Sequence, residues 1–91
     1  MSYQIFSCLK FTINLADVGY ICKIDNNPTG YSSDKTYEII IRKDFMSEEK
    51  RIIYYEKCYE NRNKDYELFS KKLLQYKTIQ NLKDMGFIFN I

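Results

Sequence analysis

Residues 3–15 alternate between apolar and polar side chains, and this alternation constrains the fold more than any other feature. Tyr3, Ile5, Leu9, Phe11, Ile13 and Leu15 take odd positions, while Gln4, Lys10, Thr12 and Asn14 take even ones. Strand side chains project to opposite faces in turn, so period two predicts a half-buried strand over about 3–15. Ser7 breaks the apolar set, and Phe6 and Cys8 fall on the polar face. Ala16-Asp17-Val18-Gly19 then reads as a hairpin loop, followed by a second strand over about 20–25. Pairing Leu15 with Tyr20 sets Ile13 opposite Cys22 and Phe11 opposite Ile24. The apolar faces coincide only in that register.

Asn26 to Thr36 holds the single proline and several turn formers, so it reads as a long loop, with Tyr31 as its one large side chain. A third strand is expected over about 36–44, with Tyr37, Ile39 and Ile41 on one face and Glu38, Ile40 and Arg42 on the other. Ser47-Glu48-Glu49 then has the chemistry of a helix start, because serine accepts from first-turn amides and glutamates suit the positive end of the dipole. A helix over about 47–60 would gather Ile52, Tyr55, Cys58 and Tyr59 on one arc and leave Ile53 and Tyr54 outside it. Asn61-Arg62-Asn63 interrupts that pattern. A second helix over about 64–85 carries Tyr66, Phe69, Leu73 and Tyr76 at 3-4-3 spacing, with a restart near Thr78 and Gly86 as the left-handed residue after its end. Phe87–Ile91 reads as a short last strand or as an apolar tail. The expected fold is one α+β domain spanning 1–91, a three-stranded antiparallel meander with two helices on one face.

The chain has 91 residues, no histidine and a formal charge of +2. Without histidine there is no His-based zinc site, no Ser-His-Asp or Cys-His nucleophile and no imidazole base. Cys8, Cys22 and Cys58 show no CxxC spacing and suit a reducing, cytoplasmic setting as small apolar side chains. No secretory signal and no apolar run of membrane-spanning length stands out. Asp44, Glu48 and Lys50 approach a carboxylate–carboxylate–lysine set for Mg²⁺. On a helix start, however, Glu48 and Lys50 point in different directions, and capping accounts for them. No phosphate-cradling glycine loop is present. The residues therefore lead to no enzyme, no cofactor and no metal.

Two binding readings remain. Aromatic side chains exceed what one core face needs, and Phe6, Tyr31, Ile53 and Tyr54 are the surplus, candidates for contact with a larger protein partner. Small size, missing catalytic chemistry and a residue usage typical of AT-rich genomes (many Ile, Lys, Asn and Tyr, three Arg) suit a phage or mobile-element inhibitor of a defence system. The alternative is an RNA- or DNA-binding accessory protein using Lys10, Lys71, Lys72, Lys77 and Lys83. On a helical wheel, however, only Lys72 and Lys83 share a side. Self-association is compatible with either reading.

Overall fold

The computed structural model describes residues 4–26, 35–55 and 58–86. Tyr31 and the expected C-terminal strand at 87–91 lie outside the described residues. The elements run β1 (Ile5–Ser7), β2 (Thr12–Asn14), a 3-10 turn (Leu15–Asp17), β3 (Tyr20–Asn26), β4 (Thr36–Arg42), β5 (Lys50–Tyr55) and α1 (Tyr59–Asp84). The fold is α+β. One antiparallel sheet is ordered β3-β4-β5, a separate two-stranded sheet is β1-β2, and there is one long helix.

The alternation at 3–15 belongs to two strands, not one. Cys8 N donates to the Phe11 carbonyl at 2.9 Å, closing a turn over 8–11. Phe6 pairs with Ile13, an even with an odd position, and both are buried. The turn thus flips the phase, so Phe6 points into the core while Ile5 and Leu9 are exposed. An apolar residue at 6 was the sequence signal of that phase change.

The expected Leu15–Tyr20 pairing is absent. Leu15 and Val18 are buried in an irregular turn, where the Asn14 side chain accepts from Ala16 N at 3.0 Å. β3 pairs with β4 instead, with Ile21 opposite Ile41 and Cys22 opposite Ile40. Ile21 therefore joins the core, and Tyr20 and Ile24 face away from it. Gly19 makes the entry into β3 possible: its N–H donates to the Arg42 carbonyl at 2.8 Å, and a Cβ there would lie 1.9 Å from the Lys43 carbonyl oxygen.

The helix expected over 47–60 does not form. Asp44 Oδ1 accepts from Met46 N at 2.8 Å and from Ser47 Oγ at 2.9 Å, so Ser47 closes a tight turn rather than capping a helix. β5 follows, paired with β4 through Ile52–Ile39 and Tyr54–Tyr37. The run Arg51-Ile52-Ile53-Tyr54-Tyr55 is β-branched and aromatic, which suits a pleated surface, and Ile52 and Tyr54 alternate inward. The helical arc and the strand alternation compete in these residues, and a free edge beside β4 decides for the strand.

α1 is a single helix of 26 residues, about 39 Å long at 1.5 Å per residue. It runs through Asn61-Arg62-Asn63 and does not restart at Thr78, whose hydroxyl donates back to the Leu74 carbonyl at 2.9 Å. Gly86 follows the helix end with φ 96°, the left-handed conformation glycine adopts freely. The core joins Phe6, Ile13, Leu15, Val18, Ile39, Ile41, Tyr54, Phe69 and Leu73. Phe69 is its hub, stacked on Phe6 at 4.8 Å between ring centroids and tilted against Phe11 at 5.5 Å. The hairpin and helix thus cover one face of the larger sheet. The radius of gyration is 15.6 Å, against about 12 Å for a compact globule of this length.

Candidate interaction surface

Register determines which side chains share the other face of the sheet. Tyr20, Cys22 and Ile24 from β3 lie beside Arg42, Ile40 and Glu38 from β4, and these lie beside Arg51, Ile53 and Tyr55 around β5. The helix and hairpin occupy the opposite side, so among the described residues no helix or further strand packs on this face. Tyr20 is 47% exposed, Ile24 40%, Ile53 40% and Tyr55 66%. Ile40 and Glu38 in the central strand are buried. The four exposed apolar side chains form two flanks, one on each outer strand. Together they leave on the order of 400 Å² uncovered, divided between the two flanks.

Charge on this face is internally matched. Arg51 Nη1 pairs with Glu38 Oε1 at 3.0 Å, Arg51 Nη2 with Glu49 Oε2 at 3.2 Å, and Arg42 Nη2 with Glu49 Oε1 at 3.0 Å. Glu38 and Arg51 are diagonal cross-strand neighbours, the spacing at which long side chains meet. Hydrogen bonding to Arg42, which outweighs desolvation and is reinforced by Arg51, holds the Glu49 carboxyl below its ordinary value. Glu49 in turn raises Arg42, and Glu38 ahead of Glu49 raises Arg51. Two arginines and two glutamates cancel, so the face is apolar at its flanks and neutral along its middle.

The residues singled out by sequence divide sharply. Ile53 lies on this open face. Phe6 and Tyr54, 6% and 3% exposed, are core residues and offer no surface to a partner, which corrects their expected exposure. Tyr54 OH donates to Asp65 Oδ2 at 2.7 Å, and burial followed by Asp65 pushes its phenol well above the ordinary value. Tyr20, Ile24 and Tyr55 join Ile53 on this face, which the sequence pattern alone does not predict. The signal for Tyr55 was the Arg51/Ile53/Tyr55 alternation.

The five lysines are dispersed. Lys10 Nζ sits 5.3 Å from the Tyr54 ring centroid, and Lys77 Nζ donates to the Gly19 carbonyl. Lys71 borders a surface groove with Lys23, whose Nζ lies 5.2 Å from the Tyr66 ring centroid. Lys72 is half-buried and Lys83 exposed, farther along α1.

Behind the open face, Arg62 is 2% exposed. Its Nη2 donates to Asp25 Oδ1 at 2.7 Å, its Nη1 to the Ile24 carbonyl at 3.1 Å and its Nε to Asn63 Oδ1 at 2.8 Å. Its guanidinium carbon lies 5.3 Å from the Tyr37 ring centroid and 5.4 Å from that of Tyr59. Arg62 thereby ties α1 to the β3 strand that carries Tyr20 and Ile24.

The three cysteines are free thiols, and among the described residues no cluster of three or more His, Cys, Asp or Glu is placed to hold a metal. No described helix is long and apolar enough to cross a membrane. No protein-family model, curated protein or solved structure matches the chain.

Proposed function

We propose that this chain is a non-catalytic protein-binding module that covers an apolar, uncharged surface of a larger protein with the open face of its sheet. One observation carries the reading: Tyr20, Ile24, Ile53 and Tyr55 stand exposed around a charge ladder that is already neutralised from within. Such a face has no net sign to attract a phosphate backbone or a charged peptide, and its gain on association comes from apolar burial. Tyrosine supplies large area with few torsions to immobilise. The narrower reading, a cytoplasmic inhibitor carried by a phage or mobile element, rests on small size, free thiols and AT-rich residue usage. The nucleic-acid alternative is supported less well, because the lysines that would follow a backbone are spread over separate surfaces.

The test is site-specific photocrosslinking. A photoreactive phenylalanine at Tyr55 is expected to trap a partner in host lysate, and the same group at Leu68, exposed on α1, is not. Ile53→Asp added to the Tyr55 probe should abolish capture while the melting temperature stays near the parent's. Equal capture from both positions, capture insensitive to Ile53→Asp, or recovery of nucleic acid alone would overturn the proposal.

A further inference from the structure

The β1–β2 turn, the end of β5 and the first turns of α1 surround a cleft of about 290 Å³. It lies on the helix side of the sheet, away from the open face. Leu9 and Lys10 approach from the turn, Tyr54 from β5, and Asn61, Lys64 and Asp65 from the helix. Spacing on α1 explains the last three: residues 61, 64 and 65 stand three and four apart and share one side.

The polar groups in this cleft are not equally available. Asp65 already accepts from the Tyr54 hydroxyl, which fixes both groups. Lys10 and Lys64 have no carboxylate at ion-pair distance among the described residues. Lys10 rests over the Tyr54 ring, a contact that leaves its three donors unspent on oxygen. Among the described lining residues, two cations and one anion leave a net single positive charge. The rest of the described wall is the Tyr54 ring and the Cys58 thiol inside and, at the rim, Leu9, which is entirely exposed. Leu9 occupies a turn position where a polar residue or glycine would satisfy the backbone, so its exposure has no local structural cause.

A ligand suited to these walls has one negative charge and an apolar remainder. We infer that the cleft binds a monocarboxylate on a small apolar body, its oxygens taken by Lys10, Lys64 and the Asn61 amide and its body resting on Leu9 and Tyr54. The volume equals that of roughly ten water molecules, so the ligand has about ten non-hydrogen atoms. A multiply charged phosphate suits the site less well, because Asp65 opposes a second negative charge. The carboxylate could come from a free aliphatic acid or from the C-terminus of a peptide ending in an apolar residue.

The intact chain, labelled with ¹⁵N, is titrated with sodium hexanoate, hexanol and hexylamine. Saturable amide shifts at Leu9, Lys10, Asn61 and Lys64 are expected with hexanoate alone. A parallel titration with a tripeptide ending in leucine, as free acid and as amide, separates the two sources. Shifts with the acid tripeptide but not with hexanoate assign the site to chain termini, and the reverse assigns it to free acids. Lys64→Gln, an exposed helix position, should weaken binding about tenfold by removing one charge-assisted contact. Leu9→Ser should weaken it without changing the fold. No saturable shift with either carboxylate, equal shifts with hexanol or hexylamine, or unchanged affinity in Lys64→Gln would overturn the assignment.

Discussion

Replacing Arg62 with alanine tests the central energetic claim, that a buried cation fastens the helix to the sheet. The substitution removes four hydrogen bonds of 2.7–3.4 Å, to Asp25, the Ile24 and Glu38 carbonyls and Asn63, and a guanidinium placed between the Tyr37 and Tyr59 rings. The Asp25 side chain is 49% exposed, so its carboxylate returns to water cheaply, and the pair itself is worth about 1 kcal/mol or less. The Ile24 carbonyl loses a charged donor, at about 1–3 kcal/mol. The two ring contacts add about 0.5–1 kcal/mol each. The expected loss is about 3–4 kcal/mol, a drop in melting temperature of roughly 15–25 °C for a domain of this size. Arg62→Met restores the volume of the stem but not the donors, so it should recover about half of that loss. Urea unfolding followed by far-ultraviolet circular dichroism measures all three proteins. Arg62→Ala within about 0.5 kcal/mol of the parent, or Arg62→Met more stable than the parent, would refute the reasoning.

Other substitutions reach different parts of the structure. Phe69→Ala empties the hub of the aromatic cluster and should cost about 3–5 kcal/mol by urea titration. Gly19→Ala forces a methyl into the Lys43 carbonyl and should cost about 2 kcal/mol or more, with the loss of amide protection concentrated where β3 meets β4. Glu49 and Asp44 are held below their ordinary values of 4.5 and 3.8 by their hydrogen bonds. A depressed carboxyl stabilises the fold above its unfolded value and loses that contribution as pH falls through the folded one. Thermal melts should therefore be flat down to about pH 5 and then decline, less steeply in Glu49→Gln. The raised phenol of Tyr54 acts at the opposite end: its contribution is complete below the ordinary value of 10.0 and is lost as pH rises beyond it. Tyr54→Phe should flatten that alkaline decline.

The sequence made some of this architecture legible and concealed the rest for identifiable reasons. β4 was readable because Tyr37, Ile39 and Ile41 alternate without a competing pattern. The helix was readable from Tyr66, Phe69, Leu73 and Tyr76. Its true start was hidden because Arg62, four residues before Tyr66, continues the same stripe with a charged side chain, and burial of an arginine depends on partners from β3 that no local pattern shows. β5 reads as a helix in sequence because Ile52, Tyr55 and Tyr59 satisfy helical spacing as well as Ile52 and Tyr54 satisfy strand alternation. Only the vacant edge of β4 separates the two. On the candidate surface, the sequence pattern points to Ile53 correctly, whereas Tyr54 and Phe6 lie in the core. One residue of phase in a strand exchanges core for solvent. Tyr20 and Ile24 belong to the apolar face in the expected Leu15–Tyr20 pairing and turn outward because β3 pairs with β4 instead.

The two sheets share no strand, and the β1–β2 hairpin reaches the helix through Phe6 and Phe11 on Phe69. These contacts join residues far apart in the chain, so loop-closure entropy should delay them until α1 has settled on β4 and β5. The hairpin should therefore behave as a separate cooperative unit, adding late in folding and opening first under native conditions. Hydrogen exchange would register this as protection in Ile39 and Ile41 that outlasts protection in Phe6 and Ile13. A chain that opens in that order releases its amino-terminal strands while the Tyr20–Tyr55 face keeps its shape.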